Sequence, residues 1–217
     1  MSFQVIALQE ERLYNGKAFP LTMNWNSDTE SSSNIVDWFR DNKSIVEEYL
    51  REHKAVLFRC AETVPTFSDF SDVVEAIDFA TMEYVGGAAV RTQLTSRVFT
   101  ANESPSSEVI PFHHEMAQTP LPPTHLFFYC EIPPVSGGET PILVSAEVCS
   151  RMQELHPQLM QRLEDCGVQY VRYMPEYDDP ASAIGRGWRS TFQASDRGRV
   201  LYFPCSCIDK IYLHSFY

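Results

Sequence analysis

Apolar positions recur at helical spacing in the first third of the chain. Ile35, Val36, Trp38 and Phe39, then Ile45, Val46, Tyr49 and Leu50, stand three and four residues apart. This predicts helix after the polar stretch SDTESSS (27–33), which reads as a loop. A second run, Phe67, Phe70, Val73, Val74 and Ile77, predicts another amphipathic helix with Thr66 or Ser68 as its N-cap. Between them, AVLFR (55–59) reads as a short strand. Gly86 and Gly87 break the helical pattern.

From about residue 88 the pattern turns to short β-rich runs separated by proline and glycine. Strands are predicted at RVFT (97–100), VIPFHHE (109–115), THLFFYCEI (124–132) and PILVS (141–145). Residues 145–166 return to helical spacing, in two pieces around His156-Pro157, with Gly167 just past the end. VQYVRYM (168–174) and RVLYF (199–203) read as strands again. Many short strands flanked by helices, without regular βαβ alternation, predict a mainly antiparallel β core with helical additions.

Composition narrows the classes of function. The chain has 217 residues, 44% of them hydrophobic, which is enough for one large domain with a core. Lys and Arg total 17 against 29 Asp and Glu, a formal charge of -12. A surface this acidic repels phosphate backbones and anionic lipid, so neither nucleic acid nor membrane is expected as a partner. The N-terminus lacks the basic start and apolar run of a secretory signal. Six cysteines without an export signal suggest a reducing, cytoplasmic setting with mostly buried free thiols. Cys205 and Cys207 form a C-x-C pair with no second pair at zinc-ligand spacing.

The candidate chemistry lies at FHHEMAQ (112–118). On a strand, His113 and Glu115 share a face while His114 points to the other. An imidazole and a carboxylate converging on one point make two-thirds of a two-His-one-carboxylate facial triad, which leaves open positions on Fe(II). Standing alone, the H-x-E triplet reads as structural, hydrogen-bonded side chains, since such triplets are common by chance.

About two dozen residues later comes GGETPI (137–142). Taken with ANESPSSEVIPFHHEMAQ and FFYCEIPPVSGGETPI, the chain resembles the taurine dioxygenase and clavaminate synthase-like family of Fe(II)/2-oxoglutarate-dependent oxygenases. It is most similar to the clavaminate synthase-like members, whose carboxylate ligand is glutamate. The resemblance runs from about residue 35, through AVLFR and YVGGAAVR, to GRGWRSTF (185–192). It implies a double-stranded β-helix (jelly roll), with His113 and Glu115 as metal ligands and Thr140 as the hydroxyl donor to 2-oxoglutarate. It also implies oxidation of a small-molecule substrate by dioxygen, coupled to decarboxylation of 2-oxoglutarate. Gly137 and Gly138 are expected to serve the turn. Arg186, Trp188 and Arg189 read as a solvated basic loop without a role.

The family takes its third ligand from a distal histidine in a longer chain, and an arginine after it clamps the far carboxylate of 2-oxoglutarate. This sequence matches until about residue 195, and CSCIDKIYLHSFY at its end resembles nothing in the family. The expected organisation is an oxygenase-like domain over 1–195 and a divergent tail over 196–217, making a jelly roll incomplete at its C-terminus. His214, the one late histidine, is followed by no arginine and reads as a tail residue. A shortened oxygenase with weak Fe(II) binding and little turnover is therefore expected. The alternative is a catalytically inactive binding or regulatory variant. Uncovered sheet edges also leave a homo-oligomer open.

Overall fold

The structure is a computed structural model that describes residues 3–26, 34–101, 103, 107, 109–119, 122–182 and 185–197. The strand expected at 199–203, Cys205, Cys207, His214 and the tail beyond Arg197 lie outside the described residues. The chain divides into two compact units, each assembled from separated stretches of sequence. The first comprises Met1–Thr81, Gln93–Phe99 and Phe127–Ser136, and the second Met82–Thr92, Thr100–Leu126 and Gly137–Tyr217.

The first unit is built on a three-stranded sheet. β4 (Leu21–Trp25) lies at its centre, with β1 (Phe3–Ile6) antiparallel on one side and β5 (Val56–Arg59) parallel on the other. Phe3 faces Trp25 across one pair, and Leu21 faces Val56 across the other. Leu21, Thr22 and Met23 are buried in succession, so both faces of the central strand are covered. A separate hairpin joins β2 (Arg12–Tyr14) to β3 (Lys17–Phe19) through Asn15 and Gly16, at φ 50° and 75°. Two consecutive left-handed residues are what a tight type I′ hairpin requires, and Asn-Gly supplies them at least steric cost.

Helices α1 (Ile35–Asp41) and α2 (Lys43–His53) form where the apolar spacing predicted them. α1 is capped by Asn34, whose side chain accepts from the Asp37 amide at 2.8 Å. Ile35, Trp38 and Phe39 give it one buried face. These side chains close on Phe3, whose ring lies 4.7 Å from Trp38, 4.9 Å from Trp25, 5.0 Å from Phe58 and 5.8 Å from Phe39. Mostly edge-on contacts of this kind add to the burial of the rings themselves.

α3 (Phe67–Ile77) begins in a capping box. Thr66 Oγ1 accepts from the Asp69 amide, and Asp69 Oδ2 accepts from the Thr66 amide. Of the two N-caps that the sequence left open, Thr66 is the one used. A distant segment completes this end: Glu131 Oε1 accepts from the Phe67 amide at 3.0 Å, and the Tyr129 hydroxyl donates to the Val64 carbonyl at 2.8 Å. The Tyr129 ring also stacks on Phe70, with centroids 5.0 Å apart.

In the second unit α4 (Ser145–Leu155) and α5 (Pro157–Cys166) meet at His156, with Pro157 opening α5 and Gly167 closing it at φ 70°. Pro suits the first helical position because its missing N–H has no partner there anyway. A short helix α6 (Trp188–Phe192) packs Trp188 into a second core with Met174 and Ala194.

The described residues form mixed sheets and helices, and the predicted strands after residue 88 are the main difference from expectation. None of the described residues in 97–100, 109–115, 124–132, 141–145 or 168–174 belongs to a named strand. Near the first there is an isolated antiparallel bridge between Gln93 and Phe99. A strand exists by pairing, and β-favouring composition stays as extended coil where no neighbour meets it in register. Many apolar side chains in these stretches are exposed, Val109 at 88% and Ile132 at 83%, while Val98 and Met174 are buried. The thiols also depart from expectation. Cys130, Cys149 and Cys166 are exposed, and Cys60 is partly covered.

Two outcomes follow from this packing. Phe3→Ala should lower stability in urea by about 3–5 kcal/mol, the usual cost of emptying an aromatic core site, while Leu13→Ala on the exposed hairpin should change it by less than about 0.5 kcal/mol. Burial holds the Cys60 thiol above its ordinary pKa, which lowers its thiolate fraction near neutral pH. Iodoacetamide labelling followed by peptide mass spectrometry should therefore find Cys60 lagging Cys130 and Cys149, with the lag narrowing as pH rises.

Candidate functional site

The site is built on two stretches of the second unit, residues 84–92 and 111–119. In the first, Tyr84 is a platform. The guanidinium of Arg91 lies 4.7 Å from its ring centre and that of Arg186 lies 4.9 Å away, both favourable cation–π distances. Gly87 makes this possible, because a Cβ there would lie 2.1 Å from Tyr84 Cζ. The Tyr84 hydroxyl accepts from the Ala89 amide at 3.2 Å. Beside Arg91 the backbone is pinned: the Thr92 amide donates to Thr100 Oγ1 and Glu103 Oε1, both at 2.8 Å. Hydrogen bonds from the Thr92 and Thr100 side chains, with a smaller effect from the Thr92 amide, hold the Glu103 carboxyl below the usual carboxylate range.

In the second stretch the backbone turns after His114. The Ala117 amide donates to the His114 carbonyl and the Thr119 amide to the Met116 carbonyl. Met116 occupies the left-handed region at φ 54° with its side chain buried, an arrangement that costs roughly 1 kcal/mol and needs surrounding contacts to persist. Two contacts bind this turn to the first stretch. Arg91 Nη2 pairs with Glu115 Oε2 at 3.0 Å, and Gln118 Nε2 donates to the Gly86 carbonyl at 3.1 Å.

His113 and Glu115 therefore come into place differently from the expectation. The first lies in chain without regular secondary structure and the second in a turn, so strand alternation does not set their faces. His113 is exposed, with Nδ1 2.8 Å from the Pro111 carbonyl. A carbonyl only accepts, so Nδ1 carries the proton and a neutral ring keeps its lone pair on Nε2. His114 Nε2 meets Ser145 Oγ at 2.6 Å, at the start of α4. That bond brings the His-His-Glu segment to within a few residues of Thr140, which precedes Ser145 by five positions, a span of roughly 17 Å at most. Thr140 is exposed, and Gly137 and Gly138 before it sit at φ 68° and 76°, a left-handed conformation that glycine adopts freely.

These donors fit a divalent metal as a partial set. His113 offers an oriented imidazole whose other nitrogen is already bonded to a carbonyl, a common support for metal-bound histidine. Glu115 has one oxygen on Arg91, while Oε1 has no hydrogen-bond partner among the described residues. No group of three or more His, Cys, Asp or Glu side chains converges among the described residues. No helix among them is long and apolar enough to cross a membrane.

The stretch read as a solvated basic loop is instead a packed corner. Trp188 is only 2% exposed, and Arg186 donates to the Tyr84 carbonyl at 2.7 Å and the Ser190 carbonyl at 2.9 Å. Arg189 pairs with Glu176 at 2.7 Å. Arg172 donates to the Arg186 carbonyl at 2.8 Å, and desolvation lowers the pKa of both Arg172 and Arg186. Arg91 closes the YVGGAAVR segment, yet nothing in that segment marks it as a site residue. Its partner is 24 residues away, and a single arginine in AAVRT has no pattern to stand out from.

A family model described as taurine catabolism dioxygenase TauD, TfdA family, matches residues 17–196. A clavaminate synthase-like protein of Arabidopsis thaliana is 47% identical over 195 residues, covering 88% of this chain and 59% of that protein. The dapdiamide synthesis protein DdaC of Enterobacter agglomerans is 25% identical over 170 residues, covering 78% of this chain and 48% of its own length. The chain thus spans about half to three-fifths of the curated relatives it matches.

The close approach of Gly87 to Tyr84 can be tested directly. Gly87→Ala should cost about 1–3 kcal/mol by overpacking, and in a Tyr84→Ala background the same change should cost less than about 0.5 kcal/mol. A urea-denaturation double-mutant cycle checks both.

Proposed function

The chain belongs to the taurine catabolism dioxygenase TauD, TfdA family, and from that premise we propose that it carries the Fe(II)- and 2-oxoglutarate-binding part of a non-haem oxygenase acting on a small molecule. The observation that carries the reading is the state of the H-x-E pair inside the matched segment. His113 keeps a free lone pair on Nε2, and Glu115 is held with one oxygen open.

In this reading His113 Nε2 and Glu115 Oε1 hold the metal, and Thr140 donates its hydroxyl to a carboxylate of 2-oxoglutarate. Such a bond to an ionised acceptor is shorter and stronger than one between neutral groups. The metal, when bound, supplies dioxygen activation, with 2-oxoglutarate decarboxylated to succinate and carbon dioxide as the substrate is oxidised. The chain's own part is to orient and to neutralise charge. Pro111 fixes the His113 tautomer, Arg91 balances Glu115, and the His114–Ser145 bond ties the metal-binding segment to the start of α4. The double-stranded β-helix of the family is the fold proposed for the complete oxygenase, and the exposed apolar stretches between 109 and 144 are the segments that would enter it.

Anaerobic addition of Fe(II) and 2-oxoglutarate to the 217-residue chain should produce a weak visible charge-transfer band that needs both additions. His113→Ala and Glu115→Ala should each abolish it, and Thr140→Val should raise the 2-oxoglutarate concentration needed by about tenfold, the worth of one charge-assisted hydrogen bond. A parent protein with no band would favour the non-catalytic binding variant instead.

A further inference from the structure

We infer that Arg91 is a positioning residue for Glu115: its guanidinium holds one carboxylate oxygen so that the other faces a divalent cation. This rests on the reading of Glu115 as a metal ligand and adds to it a residue that neither the H-x-E motif nor the G-G-E-T segment contains.

Three observations carry it. The ion pair joins Nη2 to Oε2 at 3.0 Å, with the two side chains only 19% and 18% exposed. A pair so covered is weakly screened, and removing one partner leaves the other uncompensated. Glu115 also lies in a turn that no sheet ladder steadies, followed by the left-handed Met116, so its rotamer depends on what its carboxylate meets. Finally, Arg91 is itself fixed. Its guanidinium rests on Tyr84, and the Thr92 amide next to it is doubly bonded. Backbone carbonyls orient Arg172 and Arg186; the Tyr84 ring and the Glu115 carboxylate orient Arg91.

Arg186 provides an internal control. It stacks on the same Tyr84 ring, yet its donors go to carbonyls and not to Glu115. A merely structural role for Arg91 would make the two arginines equivalent toward a metal, whereas a positioning role separates them. Simple charge repulsion between a guanidinium and a divalent cation predicts the opposite sign, with tighter binding once Arg91 is removed.

The test is Mn(II) binding to the 217-residue chain, followed by loss of the free-ion electron paramagnetic resonance signal, alongside thermal unfolding. Arg91→Ala should weaken binding about 10- to 100-fold, the usual effect of losing a group that orients a ligand. Arg91→Lys, which keeps the charge but loses the planar fork, should fall between it and the parent. Arg186→Ala should lower the melting temperature and leave affinity in the folded protein unchanged. Unchanged or tighter binding by Arg91→Ala, with a parent that binds, overturns the positioning role alone. If Arg91→Ala fails to fold, Arg91→Lys with parental affinity overturns it equally. No Mn(II) binding by the parent overturns the metal reading first and the positioning role with it.

Discussion

A carboxylate that is mostly covered must have a cation beside it, and the 84–119 region is arranged around that requirement. Glu115 meets Arg91, and Arg91 in turn needs a surface to lie on and a backbone that does not move. Tyr84 supplies the surface, the absence of a side chain at Gly87 lets the ring lie flat there, and the bonds at Thr92 anchor the strand of chain that carries Arg91. The guanidiniums of Arg172 and Arg186 donate to peptide carbonyls, and Arg189 pairs with Glu176. With those donors met elsewhere, Glu115 pairs with Arg91.

This changes what the H-x-E motif means physically. Its spacing predicts strand alternation, with two side chains on one face because every second residue points the same way. In the structure the same two residues are prepared by separate local devices: a carbonyl that dictates a tautomer and a guanidinium that occupies one oxygen. Membership of the TauD, TfdA family rests on residues 17–196 together, and both devices lie within them.

The parts legible in the sequence were those governed by short-range rules. The helices at 35–53, 67–77 and 145–166 repeat apolar groups within one turn of each other, and their ends carry Thr66, Pro157 and Gly167. Asn15-Gly16 was an equally local signal for the β2–β3 hairpin, and it went unread because the flanking strands are only three residues long. The parts not legible depend on partners far along the chain. Segments such as THLFFYCEI have the composition of strands, but pairing decides whether they become strands. Trp188 looked like part of a polar loop because its neighbours are Arg186 and Arg189; its burial comes from Met174 and Ala194. The positive φ of Gly137 and Gly138 is again a local property, one that glycine adopts freely.

The start of α3 has a consequence for how the protein is made. Its first amide waits for Glu131, 64 residues further on, and the Val64 carbonyl waits for Tyr129. At ribosomal speeds of about 5–20 residues per second, roughly 3–13 seconds separate the emergence of this helix from that of the segment which closes its end. During that interval the nascent chain presents Phe70 without the tyrosine that later covers it. A chaperone gripping such an aromatic would find it available early and hidden once Tyr129 has docked.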